Sequence, residues 1–279
     1  MRPMMRTERT SSGQRGFTLI EAVMTIVLTG IVITVVSVFI VPATEAYFDS
    51  STRAKLGDRA DNALRRISRD LTLALPNSVR ITGSSLELIP VSGAARYATD
   101  SGDTLQFGAA DASFAIVGPA LKISHASQQL AWYNLGAGTP DADAYTGSNV
   151  RPSTNAAGNA TNVGIAGAPL PNALQAPPFR VYAIEPPVTY RCDLAARTLT
   201  RYSGYGFSTT QPNPPSGGSS AVLARHVSAC NFRFDPAAVG ARYALVSMEL
   251  SLQDKDPASP ADVLETVTLY HAVHVDNLP

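Results

Sequence analysis

The chain is poor in the features that most often announce chemistry. Cysteine occurs only twice in 279 residues, at Cys192 and Cys230, too few and too far apart for a zinc cage. Formal net charge is zero, so the electrostatic footprint of a nucleic-acid binder is missing and no nucleic-acid partner is expected. There is no P-loop, no Rossmann glycine pattern, no Gly-x-Ser-x-Gly frame and no internal repeat. Enzymatic activity, a catalytic residue and a cofactor are therefore not expected. His271 and His274 are three apart on what reads as a strand, where they point to opposite faces and cannot chelate one ion. Asp254, Asp256 and Asp262 have carboxylates suited to Ca²⁺, but the glycine turn and closing Glu of an EF-hand loop are absent. A solvated acidic hairpin is the simpler reading, and no metal site is expected. Asn159-Ala160-Thr161 fits a glycosylation sequon in a polar tract where chance explains it.

What the chain does have is a long apolar run. From Ala22 to Val41 there is no charged side chain, and at about 1.5 Å per residue a helix of that length crosses roughly 30 Å of hydrocarbon. Glu21 sits at its edge, where an unpaired carboxylate facing lipid costs on the order of 2.5 to 3.5 kcal/mol if deep; it calls for a partner. Residues 1–15 carry Arg2, Arg6, Arg9 and Arg15 against a single acid, Glu8, which holds the N-terminus on the cytoplasmic side. No small-residue cleavage pattern follows Val41. Any cut therefore falls before the span.

Gly16, then Phe17-Thr18-Leu19-Ile20-Glu21, then the apolar helix, resembles the class III signal of type IV prepilins and pseudopilins. The resemblance implies that a membrane-embedded prepilin peptidase cuts between Gly16 and Phe17 and methylates the new N-terminal Phe17. Glu21 then becomes the fifth residue. Cleavage creates a cationic α-amino group on Phe17, which a carboxylate four residues along a neighbouring helix can neutralise. Desolvation offsets much of that attraction, so the pair chiefly fixes register between subunits. Glu21 reads as an assembly residue; the competing reading is an ordinary anchor with an incidental acid.

Removing the leader, with its four arginines and one glutamate, leaves 18 basic and 21 acidic residues. In an exported chain the cysteine pair reads as one disulfide, Cys192 to Cys230, with two buried thiols as the alternative. Beyond Pro42 the helical pattern resumes, with Leu56, Ala60, Ala63, Leu64, Ile67, Leu71 and Leu75 on one stripe. Asp61 with Arg65 and Arg66 with Asp70 read as i, i+4 pairs on the wet face. A helix continuous from Phe17 to Leu75 is close to 90 Å long at about 1.5 Å per residue. Strands are expected at 79–82, 85–91, 104–107, 114–117, 122–123, 131–135, 179–184, 188–192, 198–202, 221–226, 229–234, 243–253 and 265–275. The early ones read as a meander packed on the helix, and 136–178 as a long surface loop. The expected class is α+β and pilin-like: leader 1–16, membrane and filament-core helix 17–41, amphipathic continuation 42–75, β-rich head 76–279.

Leu75-Pro76-Asn77-Ser78-Val79-Arg80, Val188-Thr189-Tyr190-Arg191-Cys192, Leu199-Thr200-Arg201-Tyr202, Val227-Ser228-Ala229-Cys230 and His274-Val275-Asp276-Asn277-Leu278-Pro279 are similar to the minor pilins of the mannose-sensitive haemagglutinin (MSHA) pilus system. That implies a low-abundance subunit that takes part in pilus assembly, with prepilin peptidase and other major and minor pilins as partners. It also implies residence in the inner membrane, head in the periplasm, and then in an extracellular pilus. A large minor pseudopilin of type II secretion shares helix and head. A tip adhesin is the rival from another class. For it, Trp132-Tyr133 and the group Tyr202, Tyr205 and Phe207 are the candidate sugar surface, against a reading as core aromatics. In the span, Thr25, Thr29, Gly30 and Thr34 offer either close helix approach or ordinary span composition.

Overall fold

The computed structural model describes residues 16–241, 243–255 and 264–279; the arginine-rich leader through Arg15, together with Asp256 and Asp262, lies outside them. The architecture is α+β: one long apolar N-terminal helix leading into a head of antiparallel sheets. Helix α1 (Leu19–Val35) begins at Thr18, an extended residue that caps it, and none of its residues is buried. Val36–Ile40 forms a π-helical turn, and α2 (Val41–Thr72) follows without a break. The π turn has a covalent cause. Pro42 brings no backbone N–H, so the carbonyl four residues earlier has no α-helical donor, and the ladder loosens locally.

The head buries the apolar stripe of α2: Leu56, Ala60, Ala63, Leu64, Ile67 and Leu71 are all buried. Each large side chain so placed stabilises the head by roughly 1.5 to 3 kcal/mol. The helix stops at Thr72, three residues short of the Leu75 expected from the stripe. The chain there exchanges helical bonds for strand-like ones: Val91 N–H donates to the Leu73 carbonyl at 2.8 Å, and Leu75 N–H to the Ile89 carbonyl at 2.7 Å. Asp70 also departs from expectation. It lies 3.4 Å from Arg66 but is turned inward, toward the sheet, rather than onto the wet face.

Strands follow as β1 (Arg80–Thr82), β2 (Ser85–Leu88), β3 (Val91–Tyr97), β4 (Ser113–Val117), β5 (Leu121–Ile123), β6 (Gln129–Trp132), β7 (Val150–Pro152), β8 (Gly158–Ala160), β9 (Asn162–Gly164), β10 (Arg180–Ile184), β11 (Val188–Asp193), β12 (Thr198–Ser203), β13 (Ser219–Arg225), β14 (Val227–Ala241), β15 (Tyr243–Lys255) and β16 (Leu264–Asp276). One sheet has the order β1-β2-β11-β12-β13 and a second β14-β15-β16. Together they enclose the α2 stripe in a first core that includes Leu86, Leu88, Tyr190, Leu199, Val246 and Leu250. On β15 the alternation is regular: Ala244, Val246, Met248 and Leu250 are buried toward that core, so Ser247 and Glu249 take the other face. Cys192 on β11 and Cys230 on β14 are disulfide-bonded, with Cα atoms 6.3 Å apart, and join the two sheets.

The early strands do not form a meander on the helix. Only β1 and β2 join the helix-packed sheets, whereas β3 enters a separate six-stranded sheet of order β7-β6-β10-β3-β4-β9, with β5 and β8 paired beside it. This unit has its own core, built on Phe114, Leu121, Leu130, Trp132, Val163 and Val181. It is entered and left at one place, because Val91 pairs with Ile184. The tract 136–178 is therefore not a surface loop. It supplies β7, β8 and β9 and buries Tyr145, Val163, Ile165, Leu170 and Leu174. Its polar residues take part in the fold: Asn149 donates to the Trp132 carbonyl at 2.8 Å, and Asp143 accepts from the Tyr145 N–H at 2.8 Å. Residues 104–107 form no strand; Phe107 makes one isolated bridge to Leu170, and Asp111 accepts the Gln106 N–H at 2.7 Å. Gly93 on β3 is required by a close crossing, since a Cβ there would stand 2.8 Å from the Lys122 carbonyl oxygen.

Candidate functional site

The residues singled out at the N-terminus converge on one short structure. Thr18 is the N-cap: its carbonyl accepts from Glu21 N–H and Ala22 N–H, each at 3.1 Å, and its Oγ1 accepts from Glu21 N–H at 3.3 Å. Thr18 followed by an acid three residues on is the residue pattern of a capping box. Gly16 and Phe17 lie before the cap and outside any regular element. Phe17 is 76% exposed.

Glu21 occupies the first turn of α1, where the helix dipole favours a negative charge. Its side chain is exposed among Phe17, Leu19, Ile20 and Met24, which are exposed as well. The stretch Leu19–Ile40 is long and apolar enough to cross a membrane, by length and composition. Within it, Thr25 Oγ1 donates to the Ala22 carbonyl and Thr34 Oγ1 to the Gly30 carbonyl, each at 2.9 Å. Both hydroxyls are thus satisfied by their own helix.

Residues 11–37 match the prokaryotic N-terminal methylation motif. No curated protein and no solved structure matches the chain. The matched residues contain Gly16, Phe17 and Glu21 and run into the apolar helix. The methylation motif and, among the described residues, one helix apolar enough to span a membrane before a sheet-bearing head support a type IV pilin-like, membrane-anchored structural protein, with processing by prepilin peptidase and assembly with other pilins.

The other candidates resolve differently. Trp132 is fully buried, packed edge-on to Phe114 at 5.9 Å, and Tyr133 packs on the same core. Tyr205 is buried, its hydroxyl donating to Glu87 Oε1 at 2.8 Å, while Phe207 is half-buried against Leu75 and Ile89. Trp132 and Tyr205 are thus core, whereas Tyr133, Tyr202 and Phe207 are half-buried, and none of the five offers a fully exposed ring. Asn159 lies exposed on β8, paired with Lys122. Asp254 lies 3.3 Å from His226, and among the described residues no group of three His, Cys, Asp or Glu side chains could hold a metal.

Two polar clusters were not read from the sequence. Arg80 pairs with the buried carboxylate of Glu87, donates to the Thr209 and Ser208 carbonyls at 2.8 and 2.9 Å, and stacks 3.6 Å above the Tyr145 ring. One guanidinium thus ties the first sheet to the loop after β12 and to the second unit. Asp70 accepts from Tyr190 and Arg201, fastening helix to sheet. The signal for the first was available, since Arg80 and Glu87 flank Gly83-Ser84 and so face each other across a hairpin. For the second there was none, because its members are 120 and 131 residues apart.

Proposed function

We propose that this protein is a minor pilin that takes part in assembly or initiation of a type IV pilus of the MSHA kind, similar to biogenesis protein O of that system. The observation that carries the reading is the methylation motif at residues 11–37, which runs into a helix, α1, that has no buried residue among the described residues. Residues 1–16 act as leader, 17–41 as the membrane and then filament-core helix, 42–75 as its extension into the head, and 76–279 as the head. Prepilin peptidase cuts between Gly16 and Phe17 and methylates Phe17. Before assembly the chain lies in the inner membrane with its head in the periplasm. In the filament the α1 surface, apolar on all sides, exchanges lipid for neighbouring helices, and Glu21 neutralises the Phe17 amine of an adjacent subunit. Cys192 and Cys230 brace the head outside the cytoplasm, where a disulfide persists.

The test is mass spectrometry of the protein recovered from piliated cells. The mature chain is expected to begin at N-methyl-Phe17. An intact leader in cells with active prepilin peptidase would overturn the reading.

A further inference from the structure

We propose that the outer face of the β14-β15-β16 sheet is a binding trough for a neutral saccharide, with Tyr270 as its stacking platform. The inner face of this sheet carries Val246, Met248 and Leu250 against α2, so the outer face looks away from the helix. The proposal rests on the pilin reading in one respect only: the helix side of the head is then the side turned toward other subunits, and this face is left to the surroundings.

The strand register assembles the trough in two rows. Asn231, Glu249 and Tyr270 stand opposite one another across the three strands, and Arg233, Ser247 and Ala272 form the next row. The small side chains of Ser247 and Ala272 make a floor between larger walls, and the space above is about 520 Å³. The outer strands lie roughly 10 Å apart across β15, so one ring can rest between Tyr270 and Arg233. Pockets of this order accept small molecules.

Tyr270 is 74% exposed, and its ring is held in place because its hydroxyl donates to Glu249 Oε1 at 3.2 Å. A preset aromatic face offers the apolar C–H side of a sugar a surface without a large ordering cost. The remaining polar groups suit hydroxyls, which both donate and accept. Glu249 accepts, Arg233 donates, and Asn231 does both. Neither Asn231 nor Arg233 makes a side-chain hydrogen bond or ion pair among the described residues. An anion would meet Glu249 and a cation Arg233, so a neutral polyol is the ligand class that offends neither.

The experiment uses the full chain in a detergent without a sugar headgroup. Saturation-transfer NMR is run against methyl glucopyranoside, mannopyranoside and galactopyranoside, with methyl glucuronide and glucosamine as charged controls. At least one neutral glycoside is expected to bind at about millimolar Kd, with Tyr270→Ala weakening it about tenfold or more. Arg233→Ala weakens it severalfold, and Tyr243→Ala, elsewhere on the same sheet, leaves it unchanged. Tyr270→Phe keeps the ring and retains most binding, which guards against a Tyr270→Ala chain that fails to fold. Absence of neutral-sugar binding, binding that survives Tyr270→Ala, equal loss in Tyr270→Phe and Tyr270→Ala, or binding of charged glycosides alone each overturns the proposal. The cleavage site measured on cells is unaffected by any of these outcomes, so the two readings fail separately.

Discussion

The Tyr190 hydroxyl donates to Asp70 Oδ2 at 2.5 Å, fastening α2 to the middle strand of the five-stranded sheet. Arg201 Nε donates to the same carboxylate oxygen at 3.1 Å. Tyr190 is fully buried, so its hydroxyl has no water to fall back on. Tyr190→Phe removes one hydrogen bond to a charged acceptor and is expected to cost about 1.5 to 3 kcal/mol. Asp70→Ala is expected to cost more, because it strands both donors. Thermal melts of the two variants beside the parent chain check the order; equal melting temperatures in all three would show that the cluster is not a fastening.

The disulfide spans a sequence separation of 38 residues, for which loop-closure entropy gives about 4 kcal/mol. Cys192→Ala with Cys230→Ala is expected to lower head stability by that order, and reductant should act on the parent alone. Mass mapping without reduction should join the peptides carrying Cys192 and Cys230. Two alkylatable thiols in periplasmic protein would contradict the bridge.

Tyr97, Tyr145, Tyr190 and Tyr205 all have phenol pKa values pushed upward, in each case chiefly by burial. Glu87 adds to the effect at Tyr145 and Tyr205, and Asp70 at Tyr190. A folded-state pKa above the unfolded value contributes stability that is complete below the unfolded pKa and is lost as pH rises past it. Stability should therefore hold up to about pH 10 and fall steeply above it. Absorbance at the phenolate band should rise together with loss of far-ultraviolet ellipticity. Tyrosines that ionise gradually, ahead of unfolding, would contradict this account.

Glu21→Ala should leave membrane insertion, cleavage and head folding intact, because among the described residues none of α1 is buried against the head. Docking should fail, since an uncompensated Phe17 ammonium at a buried contact costs on the order of 3 to 5 kcal/mol. Glu21→Gln keeps the shape and should be defective too. Immunoblots of membranes, with piliation scored by shearing and electron microscopy, separate the two steps. Normal piliation with either variant would return Glu21 to an incidental interfacial acid.

Legibility in the sequence followed the length and regularity of each pattern. The α2 stripe carries a 3.6-residue period and the first half of β15 a 2-residue one, and Leu56 through Leu71 and Ala244 through Leu250 are buried in that phase. Residues 136–178 defeat such reading because β7, β8 and β9 are three residues each, too short to show a period. Their core is made of single apolar residues, such as Val163 and Leu170, set between polar ones. Trp132 next to Tyr133 looks alike whether on a surface or in a core, and only the partner Phe114 decides it. The trough at Tyr270 was hidden for the opposite reason. Its six residues come from three strands, and no one stretch holds more than two of them.

Because Val91 and Ile184 are cross-strand partners, the second unit leaves the helix-packed sheets and returns to them about 5 Å away. Such an excursion behaves as an exchangeable cassette: closing it with a short turn asks little of the chain on either side, since loop entropy depends only weakly on length. Contacts that tie it down include Tyr145 to the Ser78 carbonyl, Asn77 to the Asn134 carbonyl and Asn134 to the Pro76 carbonyl, all at its base. The part of the head that grips α2 and the part that projects from it can accordingly diversify under separate demands, one set by neighbours in the assembly and the other by whatever the outer surface meets.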